Sequence, residues 1–218
     1  IRVSRGQVVS LERIVEGCRA YLAVAGGIDV PMILGGRGTD VRGGFGGLGG
    51  RALRKGDEVP IGRAGAGAPA GSRINAAAIV RYSNQPILRV LPGPHAEEFD
   101  RFIEEVDFRV AAQSDRTGAR LIGPELARRE SVERLSFAVA PGAVQVPPGG
   151  QPIVLLADAP TIGGYPVIAH VITADLPLVA QLRPGDTMRF RLVTLPEAHQ
   201  ALREQMRAVS VVRQRLRL

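Results

Sequence analysis

Short runs of apolar residues alternate with turns rich in glycine and proline along most of this chain, and this pattern predicts many short strands. The clearest alternation is at 188–192, where apolar residues and arginines follow each other. Residues 87–91 form a second strand candidate, which ends at a Pro-Gly-Pro sequence. Five further runs of the same kind predict strands at 108–111, 119–122, 144–146, 153–157 and 167–172.

The first third of the chain has the same character but contains more glycine. Residues 1–30 are expected to form a strand, a turn and a strand, because the apolar run 19–25 stops at two glycines and predicts a buried strand. Nine of the sixteen residues at 35–50 are glycine, which predicts a loop. A short strand is expected around 59–61, and the glycine- and alanine-rich stretch 62–78 is expected to be a mobile connection.

Three segments have features of a helix. Apolar residues recur at i, i+3, i+4 and i+7 over 99–106, which predicts an amphipathic helix. Asp175 is expected to cap a short second helix, and Pro196 is expected to open a third, which has an apolar and a basic face. The apolar positions of the three helices are Phe99, Phe102, Ile103, Val106, Leu178, Val179, Leu182, Leu202, Met206 and Val209. The pattern therefore predicts a mainly β fold with a few helices, either a barrel or a sandwich.

The sequence Leu-Arg-x-Gly-Asp occurs twice, at 53–57 and at 182–186. One explanation is a turn that is convenient before a strand, because glycine adopts a positive φ at no steric cost. The other explanation is an internal duplication. The residues alone leave both explanations open.

Composition places the chain among globular proteins, since 45% of its 218 residues are hydrophobic and 22% are charged. No uncharged apolar run is long enough to span a membrane, and the first residues are too polar for a signal peptide. The one cysteine, Cys18, cannot form an internal disulfide and fits a reducing compartment. We therefore expect a cytoplasmic protein with no membrane partner.

Charge and motifs exclude several kinds of site. The net charge is +7, but the arginines are scattered and tryptophan is absent, so no nucleic-acid partner is expected. The glycine-rich match at 44–49 is not followed by the helix or the acidic residue of a dinucleotide site. Lys55 lies between Arg54 and Gly56, which does not suit covalent biotin. The three histidines are far apart in the sequence, so no metal site is expected.

Three segments are candidate sites, because each has polar side chains beside a turn that glycine or proline residues impose. In the glycine loop, Arg37 and Thr39 lie beside backbone amides that can hold an oxyanion or a phosphate, and the alternative is a surface loop. In the turn 114–118, Asp115 is a candidate general base or an orienting group for Arg116. The alternative there is a solvated hairpin turn.

The third segment follows the strand predicted at 153–157, which ends at Asp158. A carboxylate at the end of a strand beside a Gly-Gly turn is a plausible part of a binding rim. The alternative is a capped strand with Tyr165 packed over the turn. The candidate binding residues of this segment and its neighbour strand are Gln145, Thr161, Gly163, Gly164 and Tyr165.

Taken in order, these segments resemble the KipA family, also called allophanate hydrolase subunit 2 or biotin-dependent carboxyltransferase-like proteins. The resemblance covers almost the whole chain, so that 1–218 is expected to be one domain of this type. The stretches that carry it are 19–28, 34–47, 90–94, 114–118, 144–148, 163–166 and 174–177. The family usually has a further N-terminal portion, so this chain corresponds to about the last two thirds of it.

The resemblance implies a cyclophilin-like β-barrel and, from the family's enzymatic representative, the C subunit of an ATP-hydrolysing 5-oxoprolinase. That enzyme is a hydrolase that opens 5-oxoproline to glutamate, and the complex uses the ATP. The implied partners are a KipI-like protein, which is the B subunit, and a LamB/YcsF-like protein, which is the A subunit. Self-association is left open. On this interpretation Arg37 and Arg116 bind anionic groups, and Asp115 and Asp158 orient groups or accept a proton.

Two other functions remain open. A similar domain forms half of the carboxyltransferase of urea carboxylase, and KipA itself resembles a regulator without catalysis that counteracts a KipI-like kinase inhibitor. The sequence also departs from the family pattern. Pro160 and Ile162 flank Thr161 where the family tends to have Gln-Thr-Thr, and Thr117 replaces the usual methionine.

Overall fold

The computed structural model describes residues 1–64, 80–104, 106–130 and 134–216. These residues divide into two compact units. The smaller unit contains 1–5, 21–64 and 213–216, and the larger contains 6–20 and 80–212 apart from the gaps. The connection predicted at 62–78 lies almost wholly outside the described residues, and the single domain over 1–218 stays a prediction.

The smaller unit contains many turns and little sheet. Strands β1 (Thr39–Asp40) and β2 (Phe45–Gly46) form an antiparallel hairpin within the glycine-rich segment. An isolated bridge joins Ile28 to Ile61. The strand predicted at 59–61 is therefore reduced to one bridged residue.

Seven strands of the larger unit close into a barrel. The strands of this unit are β3 (Ile87–Pro92), β4 (Phe108–Val110), β5 (Gly118–Ile122), β6 (Phe137–Ala138), β7 (Ala143–Gln145), β8 (Ile153–Leu155), β9 (Ile162–Gly163), β10 (Val167–Val171) and β11 (Thr187–Leu192). The order around the barrel is β10-β3-β11-β4-β5-β8-β7, whereas β6 and β9 form a separate two-stranded ribbon. The mainly β barrel is confirmed, and each of its seven strands was predicted from the apolar runs.

The barrel closes where β7 pairs with β10, and the parallel pair of β3 with β11 interrupts an otherwise antiparallel ring. Alternate side chains point inward, so that Met188 and Phe190 are buried while Arg189 is exposed. The rings of Phe108 and Phe190 meet edge to face with centroids 5.7 Å apart. Inward-facing residues of all seven strands thus form one continuous core.

The strand predicted at 19–25 is absent. Residues 1–27 contain no strand, and the side chains of Tyr21 and Leu22 are 89% and 67% exposed. A strand needs a partner for its backbone groups and a surface for its apolar face. No described segment of the chain pairs with this run, so the predicted strand–turn–strand arrangement over 1–30 is wrong.

The amphipathic helix predicted over 99–106 is also wrong. A short 3₁₀ turn, Ala96–Glu98, is followed by an irregular segment, whose residue 105 lies outside the described part. The backbone pairs with other segments rather than with itself, since Asp100 N donates to Ala127 O at 3.2 Å. Phe99 and Ile103 are nevertheless buried in the barrel core. The spacing of apolar residues therefore predicted the burial of Phe99 and Ile103 correctly, but it did not predict the backbone conformation.

Two α-helices follow β10 and β11. Helix α1 (Leu176–Ala180) and helix α2 (Leu195–Leu216) lie where the sequence predicted them. In α2, Ala201 is buried whereas Met206 and Val209 are exposed. The expected cap at Asp175 is wrong, because its carboxylate makes no capping bond and instead accepts three hydrogen bonds from Arg89.

The two copies of Leu-Arg-x-Gly-Asp form the same turn. In each copy the aspartate carboxylate accepts a hydrogen bond from the arginine N, at 2.6 Å for Asp57 and 2.7 Å for Asp186. The glycines have φ of +91° at Gly56 and +95° at Gly185, which a side chain would oppose. Only the second copy leads into a described strand, and the shared sequence is accounted for locally by the hydrogen bond and the glycine of the turn.

Candidate functional site

The glycine-rich segment of the smaller unit is a folded hairpin rather than an open loop. Asp40 Oδ1 accepts hydrogen bonds from the backbone N of Arg42 at 3.0 Å and of Gly43 at 2.8 Å, which fixes the turn between β1 and β2. A Cβ on Gly47 would lie 1.8 Å from Thr39 Oγ1. The hydroxyl predicted to bind an anion is thus packed against the backbone that follows β2.

Arg37 is half-exposed and already has partners within the smaller unit. Its Nε donates to Val30 O at 2.8 Å, and its Nη2 lies 3.4 Å from Asp29 Oδ1. An exposed ion pair of this kind contributes little stability and is easily exchanged. The anion-binding role of Arg37 and Thr39 stays a prediction.

Asp115 shapes the hairpin turn that leads into β5. Its Oδ1 accepts hydrogen bonds from Thr117 N at 2.8 Å and Gly118 N at 3.1 Å, and also from the Thr117 hydroxyl. Asp115 N in turn donates to Gly118 O at 3.2 Å. The Thr117 hydroxyl therefore adds a donor to this turn.

The structure brings Arg116 and Asp158 together, although the sequence placed them in two separate candidate segments. Arg116 Nε lies 2.8 Å from Asp158 Oδ2, and Asp158 N donates to Arg116 O at 3.1 Å. Both side chains are exposed, at 60% and 45%, so the pair is screened by solvent and remains open to a partner or substrate.

A second group of predicted residues meets at the ribbon formed by β6 and β9. Gln145 is buried, and its Nε2 donates to Tyr165 O at 3.4 Å. A Cβ on Gly163 would lie 2.7 Å from that Nε2, so glycine is needed for the amide to fit. Thr161 is exposed and contributes its carbonyl, which accepts a hydrogen bond from Val139 N at 2.9 Å.

These two groups lie toward opposite ends of the same strands. In the barrel register, Gln145 pairs with Ile153, whereas the Arg116–Asp158 pair follows the end at which Gly118 pairs with Leu155. The candidate residues of the larger unit therefore form two places rather than one compact site.

A cavity of about 650 Å³ lies beside the ribbon group. Gly164 and Tyr165 line it, as do two arginines that no sequence motif indicated, Arg128 and Arg134. The volume is within the range of roughly 300–1,000 Å³ that is typical of small-molecule sites. Tyr165 is exposed at this cavity rather than covered by the turn.

The two cavity arginines share one carboxylate. Arg128 Nη2 donates to Glu98 Oε2 at 3.0 Å, and Arg134 Nη2 donates to Glu98 Oε1. The side chains are 18%, 25% and 29% exposed for Arg128, Arg134 and Glu98. The three side chains therefore form a partly buried charged cluster, and its two arginines line the cavity.

His95 lies next to this cluster and is held by the barrel. Its Nδ1 accepts a hydrogen bond from Val167 N at 3.0 Å, and its ring lies 5.1 Å from that of Phe137. Burial lowers the pKa of His95 below 6.5, and the charge of Arg134 lowers it further. The ring is thus neutral at pH 7, with its proton on Nε2.

We expect the two partly buried histidines, His95 and His170, to titrate below pH 6.5. Burial lowers both pKa values. Because the unfolded chain binds these protons more readily than the folded one, the free energy of unfolding falls as the pH drops from about 6.5 through the folded midpoints. An NMR titration of the ring protons measures each midpoint, and a midpoint at or above 6.5 would contradict the prediction for that ring.

No group of three or more metal-binding side chains is found within the described ranges. Among the helices of the described part, none is long and apolar enough to cross a membrane.

Comparison with known proteins gives one family match and several relatives. Residues 1–192 match the family described as carboxyltransferase domain, subdomain A and B. The chain is 43% identical to the 5-oxoprolinase C subunit of Escherichia coli (strain K12) over 93% of its own length, and 38% identical to that of Haemophilus influenzae over 90%. It spans 65% and 63% of those two proteins.

The fold has a counterpart among solved structures. The crystal structure of the Kluyveromyces lactis urea amidolyase matches with a TM-score of 0.78 and 29% sequence identity. The match covers 90% of this chain and 13% of that protein. The barrel is thus similar to one part of a much larger enzyme.

Proposed function

The chain belongs to the carboxyltransferase-domain family, subdomain A and B, and on that premise we propose that it is the corresponding part of the C subunit of an ATP-dependent 5-oxoprolinase. The observation that carries this proposal is the greater identity to two 5-oxoprolinase C subunits than to the urea amidolyases, which are 31% and 33% identical. The partners we propose are a KipI-like protein in the role of the B subunit, with a LamB/YcsF-like protein in the role of the A subunit.

The reaction would open the lactam of 5-oxoproline to glutamate. An unstrained lactam is a poor electrophile, so ATP would phosphorylate its carbonyl oxygen and create a leaving group. That step needs cations and amides around the developing charge. The Arg116–Asp158 pair offers an exposed cation held by a carboxylate for this step, and the cavity beside Tyr165, toward the other end of the strands, is the alternative place for a small cyclic substrate.

Carboxyl transfer is the second candidate function. The similarity to the urea amidolyase structure favours it, because the match covers 90% of this chain with a TM-score of 0.78. In this alternative the carboxyl group would come from biotin carried by another domain. It predicts urea-dependent consumption of carboxybiotin and no glutamate.

We expect Arg116→Ala to lower the rate of glutamate formation about a hundredfold when the chain is assayed with its two partner proteins, because a cation aimed at developing charge contributes about this much. The matched control is Arg129→Ala, since Arg129 is equally exposed and lies 3.7 Å from Asp100 in a similar surface pair. Full turnover by Arg116→Ala, with the complex intact, would remove Arg116 from the mechanism.

A further inference from the structure

Every residue in the middle of helix α2, from 206 to 211, is exposed to solvent. The first half of the helix packs on the barrel, where Ala198 and Ala201 are buried. Gln205 Nε2 still donates to Ala174 O at 3.3 Å, and the exposed residues follow directly after it. Helices in proteins gain most of their stability from packing of an apolar face. Within the described part of the chain, the middle of α2 lacks this cover.

An apolar stripe runs along the exposed part of the helix. Leu202, Met206 and Val209 follow one another at i, i+4 and i+7, which places them on one face. Leu202 is half-buried, whereas Met206 and Val209 are 64% and 54% exposed. Apolar side chains that are exposed together on one face are typical of a surface that meets another molecule. This stripe is therefore the candidate contact.

Positive charge borders the stripe on the side that faces away from the barrel. At 100° per residue, Arg203 and Arg207 lie there, one turn apart, and both are exposed. Neither guanidinium forms a hydrogen bond or an ion pair with a described residue. Glu204 is on the opposite side of the helix from the stripe, where Gln200 Nε2 donates to its Oε1 at 3.0 Å. The charges therefore favour carboxylates on the molecule that covers the stripe.

An acidic protein surface fits the stripe better than two other occupants do. A second copy would bring its own Arg203 and Arg207 against those of the first, and its Glu204 would face away from the contact. A membrane surface favours helices with large aromatic side chains on the apolar face, and α2 contains no tryptophan, phenylalanine or tyrosine. A protein groove with apolar walls and an acidic rim matches both the stripe and the arginines.

We propose that residues 202–212 are a docking helix, whose apolar stripe enters a groove with an acidic rim on a partner subunit. The family match ends at residue 192, so the helix lies after the matched domain and the contact is additional to those of that domain. That the partner is a subunit of the same enzyme rests on the proposed function. The apolar and acidic character of the groove does not.

The test compares two valines on opposite sides of the same helix. Val209 is in the stripe, whereas Val211 is 45% exposed and lies on the opposite side. The full chain is titrated calorimetrically with the KipI-like protein and, separately, with the LamB/YcsF-like protein. Val209→Glu should weaken binding of one of them about tenfold to a hundredfold, because it places a carboxylate against an apolar wall and an acidic rim. Val211→Glu is the matched control and should bind like the unmodified chain.

A second variant tests the charges. Arg203→Ala combined with Arg207→Ala should weaken the same binding about tenfold and reduce its dependence on salt, because the two cations that meet the acidic rim are removed. Circular dichroism checks the helix content of each variant. Equal affinity of Val209→Glu and Val211→Glu for both partner proteins would overturn the proposal.

Two further arms test the other occupants. Sedimentation of the chain alone measures self-association, and vesicles that contain phosphatidylserine measure membrane binding. Self-association or vesicle binding that Val209→Glu abolishes and Val211→Glu does not would overturn the proposal and assign the stripe to a second copy or to a membrane.

The same measurements separate this proposal from the proposed function. If a partner protein binds through Val209 and the assembled mixture forms no glutamate, the docking helix stands and the 5-oxoprolinase assignment fails. If glutamate forms and Val209→Glu binds both partners as tightly as Val211→Glu does, the function stands and the docking helix is wrong. If neither protein binds the unmodified chain, both the proposed assembly and the docking helix are wrong.

Discussion

Asp175→Asn should lower the free energy of unfolding by about 3–5 kcal/mol, the effect of removing one partner of a buried ion pair. The Asp175 carboxylate is almost completely buried, and it accepts hydrogen bonds from Arg89 N at 2.8 Å, Nε at 3.0 Å and Nη2 at 2.6 Å. The pair joins β3 to the turn before α1. The variant keeps the shape of the side chain but removes the buried carboxylate that the Arg89 guanidinium is hydrogen bonded to.

The control for this change is Asp100→Asn, because Asp100 forms an exposed pair with Arg129 at 3.7 Å. Such a pair contributes at most about 1 kcal/mol. Urea denaturation of both variants at pH 7 measures the difference. If Asp175→Asn were as stable as Asp100→Asn, the buried pair would not hold the barrel as the geometry indicates.

Gly93→Ala should destabilise the barrel by about 3 kcal/mol, at the upper end of the usual cost of overpacking. A Cβ at Gly93 would lie 2.3 Å from Val167 O, 2.7 Å from Ile168 C and 2.8 Å from Ala169 N. All three atoms belong to the backbone of β10, which is hydrogen bonded on both sides and cannot move alone. The pairing of β3 with β10 would therefore have to shift.

Gly149→Ala is the matched control for Gly93→Ala, since a Cβ there meets nothing within 4 Å. Thermal unfolding of the two variants gives the comparison. We also expect Gly93→Ala to disturb the ring signals of His95, because His95 N donates to Val167 O at 3.1 Å on the same stretch of β10. An unfolding temperature equal to that of Gly149→Ala would show that the barrel tolerates the added methyl group.

The sequence predicted the seven barrel strands from short apolar runs that end at turns, and one of them, β11, also alternates inward and outward residues. Met188 and Phe190 are inward and Arg189 is outward in β11, and that period is visible without any tertiary information. The helix predicted over 99–106 was wrong because the spacing of apolar residues does not show what the backbone is hydrogen bonded to. Phe99 and Ile103 are spaced like a helix face, but their backbone pairs with neighbouring segments, which a local pattern does not reveal.

The roles of the candidate site residues stay predictions, and the sequence did not reveal how they are arranged. Asp158 and Arg116 meet because the turn 114–118 and the end of β8 are adjacent in the barrel, which depends on the pairing of β5 with β8. Arg128 and Arg134 were missed because the chain contains so many scattered arginines that no local motif distinguishes these two. A pair of arginines near one glutamate becomes evident only when Glu98, 30 and 36 residues earlier, is brought against them.

The most direct test of the central claim is ATP-dependent glutamate formation from 5-oxoproline by this chain with its KipI-like and LamB/YcsF-like partners. A mixture that lacks the chain is the first control, and the full-length gene product is the second. We predict that glutamate forms only when the C subunit is present, and that urea with carboxybiotin is not consumed. Carboxybiotin consumption with urea, and no glutamate with either form of the C subunit, would contradict the account and assign the barrel to carboxyl transfer.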